Sequence, residues 1–417
     1  MRSDGAEKAE NPPDLLDKLV VQCPYPAYEH MREHSPVYFL EKGGFWVVSR
    51  MDDIRAVVMN PTIFSSETLD GIGFTQKTRE VLFPVPSLIF SDPPQHTRTR
   101  SVVERAFTAP RVNAMEGKIQ ALVDELFDGF IDNGKVEFMS ELALPLPLFI
   151  IADQLGVPRR DFKQFRIWSN AIAESANPGR TPAEKEEQFA GLAAEFDAYM
   201  LERRAEKIAH PAEDIISVLA VATPLAAEEG TEPYMPLTDN EFLSITQILL
   251  TAGNETTAAA ILSMLHRLSM DSGLLARIKA DAGLIKPMIE EVLRLESPVQ
   301  GFYRKVTQDT DLGGVRLTKG SLVHVRFGSA NRDADAFKSP NEFDLSRRGG
   351  TPHLAFGAGI HTCIGQMLGR KEMTCVANTV RRRIKSLSLA DGYDLQYLPM
   401  FNRRSLAALH VEFTRAS

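Results

Sequence analysis

Ten residues constrain this 417-residue chain more than any others: Phe356-Gly357-Ala358-Gly359-Ile360-His361-Thr362-Cys363-Ile364-Gly365. They gather three glycines around one thiol and run into a helical pattern through Met367, Leu368, Glu372 and Met373. Glycine lets a backbone take positive φ and approach a flat ligand closely. A thiol just before a helix N-terminus meets amide donors and the positive end of the dipole. The pattern therefore predicts a site for a deprotonated sulfur with a lowered pKa. Zinc would need a second Cys or His pair at ligand spacing, and none follows. A dinucleotide fingerprint would need glycine where Thr362 stands. An inert cysteine in a glycine-rich turn is the plain structural alternative.

The segment resembles the heme-binding loop of the cytochrome P450 family, whose pattern Phe-Gly-x-Gly-x-His-x-Cys-x-Gly is matched at every fixed position. The resemblance implies heme b as cofactor, Cys363 as the axial thiolate on its iron, and Phe356, Gly357, His361 and Gly365 around it. Such a ligand directs heme toward oxygen activation. The implied fold is mainly α with small β-sheets, the cytochrome P450 fold, with heme between a long central helix and the cysteine-loop helix. Periodicity agrees, being helical from Asp92-Pro93-Pro94 for most of the way to Pro298, with breaks at Asn133-Gly134, Asn177-Pro178-Gly179 and Thr223 to Pro236. Aromatic and β-branched runs predict a hairpin over Val37-Leu40 and Phe45-Val48, strands near Val306, Val315 and Leu322, and a last strand over Leu406 to Phe413. Residues 1–13 are expected to form a flexible tail and 14–417 a single domain. The Gly- and Pro-bearing connection from Phe64 to Pro94 reads as a substrate-facing loop.

Thr238 with Glu241 forms a capping-box pattern ahead of the apolar face Phe242, Ile245, Ile248, Leu249 and Ala252. Inside this predicted helix lies Ala252-Gly253-Asn254-Glu255-Thr256-Thr257, and a mid-helix glycine costs about 1 kcal/mol relative to alanine. Small side chains admit a ligand close to the helix, and a threonine hydroxyl bonding back to the i−4 carbonyl loosens the turn. The stretch looks like the family's oxygen-binding motif. That likeness places Ala252 and Gly253 against the cofactor and makes Thr256 and Glu255 the catalytic pair that positions water and delivers protons. A heme carrier or a peroxide-using enzyme would need no such pair.

Glu291 and Arg294 fall three apart on a predicted helix and can pair. By the resemblance they form the family's structural ion pair, with Arg332 or Arg347 as a candidate third member. Two buried carboxylates on a cofactor need cationic partners. His96 and Arg100 lie four apart on one helical face, and with Arg304 and His361 they match the family's propionate-binding positions. The family's substrate contacts map onto Leu88, Ile89 and Phe90, onto Leu249 and Ala252, and onto Val299, Gln300, Met400 and Phe401, with Asn177-Pro178-Gly179 as a lid. Most are apolar, which implies a small hydrophobic substrate.

With 47 Lys and Arg against 55 Asp and Glu the net charge is −8, so nucleic acid is not an expected partner. Nothing near the start resembles a signal peptide, and the three cysteines suit a reducing compartment. A cytoplasmic, unanchored monomer is expected. It would use dioxygen and take electrons from a ferredoxin with its ferredoxin reductase, docked near Arg98, Arg105, Arg370 and Lys371.

Overall fold

The computed structural model describes residues 12–70, 76, 79–80, 85–175, 183–221, 236–347 and 352–416. The tail residues 1–11, the Asn177-Pro178-Gly179 lid and the break from Thr223 to Met235 lie outside the described residues. So do parts of the Phe64–Pro94 connection.

The central helix, Asp239–Met270, organises the molecule. Both halves of its capping box form, with Thr238 Oγ1 accepting from the Glu241 amide and the Glu241 carboxylate accepting from the Thr238 amide. Glu241 is also gripped by two Arg98 nitrogens, Nε and Nη2, at 2.9 and 3.0 Å. The helix is long and apolar enough to cross a membrane, yet most of that apolar stretch is buried inside the protein. It packs against Pro145–Gln154, Phe162–Ser175, Ala183–Ala209, Ile285–Glu296 and Gln366–Arg383. Their apolar faces merge in one core, which includes Phe127, Phe138, Phe165, Phe196 and Phe242.

The predicted hairpin forms, with Val37 opposite Val48 and Leu40 opposite Phe45, and Gly44 takes φ 69° in its turn. Phe45–Val48 runs parallel to Leu322–Arg326, which pairs antiparallel with Gly301–Val306, and Phe64–Ser65 closes a five-stranded sheet. Gly301 is obligatory there, because a Cβ would sit 1.9 Å from the Val325 carbonyl oxygen. The last strand is His410–Arg415, later than the predicted Leu406 to Phe413. Leu406 instead bridges Tyr397, and Ala407 donates to the Gln396 carbonyl, so this stretch turns before the strand begins.

Candidate active site

The cysteine loop is built by its glycines. Gly357 and Gly359 take φ 67° and 71°, and a Cβ on Gly359 would lie 2.4 Å from the Val58 carbonyl oxygen. The turn closes when the Cys363 amide donates to the Phe356 carbonyl at 2.9 Å. Gly365 then caps the helix Gln366–Arg383. The Arg370 guanidinium lies 4.3 Å over the Phe356 ring and holds Glu290 through two nitrogens. The expectation of a lowered thiol pKa is corrected. Burial pushes Cys363 up, and the amides of Gly365 and Gln366 with the charges of Arg100 and Arg370 only partly offset it.

The four predicted cationic groups converge. His96 and Arg100 come from the helix Gln95–Ala106, Arg304 from the strand Gly301–Val306 and His361 from the cysteine loop. The His96 and His361 rings lie 4.4 Å apart. His361 Nε2 is within 2.8 Å of Ser66 Oγ, whereas the buried His96 Nε2 has no partner among the described residues. Burial and the neighbouring Arg100 lower His96 to about 4. Burial, with Arg304, His96 and Arg100 around it, lowers His361 to about 3. Burial lowers Arg304 to about 10 despite Asp92 nearby. Two arginines with two neutral imidazoles, one of whose nitrogens has no partner among the described residues, form a ready site for anions, whose arrival would favour the charged form of each group.

In the middle of the central helix Ala252 and Gly253 are both exposed, and a Cβ on Gly253 would meet nothing within 4 Å. Thr256 Oγ1 donates back to the Ala252 carbonyl at 2.7 Å, as its position predicted. Glu255 forms an ion pair with Arg403, a partner that no local pattern announced. A Cβ on Gly369 of the cysteine helix would stand 3.7 Å from Thr257 Oγ1, so glycine permits the close approach of the two helices.

Glu291 and Arg294 pair bidentately at 2.8 Å twice, and Arg347 is the third member, with its Nε 3.0 Å from Glu291 Oε1. Arg332 is engaged elsewhere, lying 3.6 Å over the Tyr25 ring and donating to the Leu295 carbonyl.

Of the expected substrate contacts, Leu88 and Leu249 are buried, and the turn Leu88–Phe90 packs on the central helix, with Ile89 and Phe90 half-buried. Val299 and Met400 are also half-buried. One of the expected contacts is corrected. Gln300 is 2% exposed, accepts from the Tyr28 hydroxyl at 2.7 Å and donates to the Glu296 and Ser297 carbonyls, so no polar atom is left to read a substrate. Phe401, half-buried like Val299 and Met400, rests one face on the sheet cluster, 4.7 Å from the His324 ring and 4.4 Å under the Arg326 guanidinium. Of the four basic residues expected at a docking face, Arg98 pairs with Glu241, Arg370 with Glu290 and Lys371 with Glu116, while Arg105 stands in the last turn of its helix.

A family profile described as "Cytochrome P450" matches residues 164–385. The "Cytochrome P450 monooxygenase PikC" of Streptomyces venezuelae is 33% identical over 94% of this chain and 91% of its own. The "Vitamin D(3) 25-hydroxylase" of Pseudonocardia autotrophica is 31% identical over 91% of each chain. A crystal structure of CYP109E1 from Bacillus megaterium in complex with corticosterone superposes with a TM-score of 0.82 at 34% identity, covering 94% of this chain and 98% of that one.

Proposed function

The chain belongs to the cytochrome P450 family, heme b monooxygenases that use dioxygen and a redox partner, and we propose that it hydroxylates a bulky, largely apolar small molecule with electrons from a ferredoxin system. When bound, thiolate-ligated heme supplies the oxidising chemistry, the insertion of one oxygen atom from dioxygen into the substrate. The residues fit that cofactor. Its two carboxylates suit the cluster of His96, Arg100, Arg304 and His361, whose buried His96 Nε2 has no partner among the described residues. Its flat face suits the opening at Ala252 and Gly253, and its iron suits Cys363. Three free thiols among three cysteines accord with a reducing, cytoplasmic setting.

The clamp is testable through retention of the cofactor. A hydrogen bond to a charged group contributes about 1.5–3 kcal/mol, so Arg304→Leu should speed heme loss to an acceptor protein roughly ten- to hundred-fold. An unchanged loss rate would remove Arg304 from the clamp.

The observation that carries the reading is the Thr256 hydroxyl bonded back to Ala252, beside Glu255 and on the helix that packs against the helix leaving the thiol loop. A back-bonded hydroxyl can swing outward to orient water while the opened turn exposes the Ala252 carbonyl, and Glu255 supplies protons beside it. Steroid-like compounds are the first substrates to screen, since relatives are named for binding corticosterone and for hydroxylating vitamin D(3). Thr256→Ala should keep consuming reductant while product per reductant falls roughly tenfold or more and peroxide rises, and Thr256→Ser should recover most of the loss. Equal yields in Thr256→Ala and the parent would sink the assignment.

A further inference from the structure

One half-buried carboxyl has no part in the chemistry above. Asp197, on the helix Ala183–Ala209, faces the central helix and accepts from Gln247 Nε2 at 2.8 Å. Burial raises it to about 6, and the Gln247 amide is the one counterweight. A purely structural acceptor for Gln247 would serve better as asparagine, which makes the same hydrogen bond without burying a titratable acid.

What lies beyond Gln247 gives the carboxyl a destination. Gln247, Thr251 and Glu255 follow one another at i, i+4 and i+8 on the central helix, so each stands about 6 Å along the axis from the last on one ridge. Gln247 is 3% exposed, and its Oε1 has no partner among the described residues. Thr251 Oγ1 donates to the Gln247 carbonyl at 3.1 Å and keeps its lone pairs open. The neighbouring Asn254 Oδ1 is also buried without a partner among the described residues, while its Nδ2 reaches Ser169 Oγ at 3.4 Å. Buried polar atoms not served by side chains take water, which makes Gln247 Oε1 and Asn254 Oδ1 water sites beside this ridge.

We propose that Asp197 is the proton inlet of this site, a carboxyl at the solvent boundary that feeds Glu255 along the Gln247–Thr251–Glu255 ridge of the central helix. In each passage the Asp197 carboxyl gives its proton to a water at Gln247 Oε1, that water protonates the Thr251 oxygen as the Thr251 hydroxyl turns from the Gln247 carbonyl and passes its own proton to the next water, that water protonates the Glu255 carboxylate, and bulk solvent returns a proton to Asp197. Arg403 faces the inner end of the ridge as the ion-pair partner of Glu255. On the flanking helices, Glu195 is taken up by the Trp168 indole at 3.2 Å and Arg204 by Asp239 at 2.7 Å. A carboxyl that titrates near 6 both gains and releases protons readily around neutral pH. Asp197 acts through Glu255 and is therefore a positioning residue, and the inference rests on the reading of Glu255 as proton donor.

The test compares the parent holoenzyme with Asp197→Asn, Gln247→Leu and Glu255→Gln. Infrared titration of the parent should reveal a carboxyl band with a midpoint near 6 that Asp197→Asn lacks. Asp197→Asn should keep the melting temperature and substrate affinity, lose roughly three- to tenfold in product per reductant, and show a larger solvent deuterium effect. Gln247→Leu, which cuts the same route one step inward, should repeat the loss even if the aspartate variant folds poorly. Glu255→Gln without effect would overturn the Glu255 reading itself. Uncoupling in Glu255→Gln alone, with parental coupling and isotope effect in the other two, would overturn the inlet.

Discussion

Cys363→Ser is expected to fold normally, lose the thiolate-type band of the reduced, carbonyl-bound protein, and retain less than about one hundredth of the monooxygenase activity. Folding should survive because the loop is held by its backbone. The Cys363 amide bonds to Phe356, Gly357 and Gly359 occupy left-handed conformations, and none of this depends on sulfur. The chemistry should not survive, because a serine hydroxyl in the same buried place is far harder to ionise than a thiol that burial already pushes up. Cys375→Ser is the control. That thiol is 2% exposed and pushed up to about 12 by burial, so its replacement should leave the band intact. A Cys363→Ser protein that kept the thiolate-type band would move the ligand elsewhere in the chain.

What could be read from the sequence was what is local in it. The capping box at Thr238 and Glu241, the back-bonding position of Thr256 and the three-residue spacing of Glu291 and Arg294 follow from helical geometry, and each forms as spaced. The four basic residues could be named from motifs in family order, though the burial and neighbouring charge that keep His96 and His361 neutral required the fold to bring them together. Contacts across the chain were beyond local patterns. Nothing near Gln300 signals that Tyr28, 272 residues away, takes its oxygen, and nothing near Glu255 signals Arg403. The thiol pKa escapes the sequence for a related reason. Helix amides favour ionisation and are legible, whereas burial opposes it and depends on everything packed around the loop. Arg332 and Arg347 are equal candidates in sequence and are separated only by Tyr25, whose ring occupies the first.

The second large effect is structural. Glu291→Ala should lower unfolding stability by about 3–5 kcal/mol, read from denaturant midpoints. Arg294 is 1% exposed and Glu291 4%, so neither charge can turn to water when its partner is lost. Arg294 also donates to the carbonyls of Asn331 at 2.9 Å, Pro340 at 2.6 Å and Glu342 at 2.9 Å, which ties the chain leading toward the cysteine loop to the helix Ile285–Glu296. Arg294→Lys should be nearly as damaging, because one ammonium cannot reproduce a planar fork that serves a carboxylate and three carbonyls. Arg347→Ala should cost less, roughly 1 kcal/mol, since its side chain is 17% exposed and partly screened. Acid should erase the distinction. Burial opposes ionisation of Glu291, but hydrogen bonds from Arg294 and the Asp344 amide hold its carboxyl below the ordinary value. The stabilisation is therefore complete above the unfolded-state pKa and is lost as pH falls through the lower folded one. The gap between the parent and Glu291→Gln should narrow across that acidic window, and a gap that stayed constant down to acid unfolding would show that the pair contributes through packing alone.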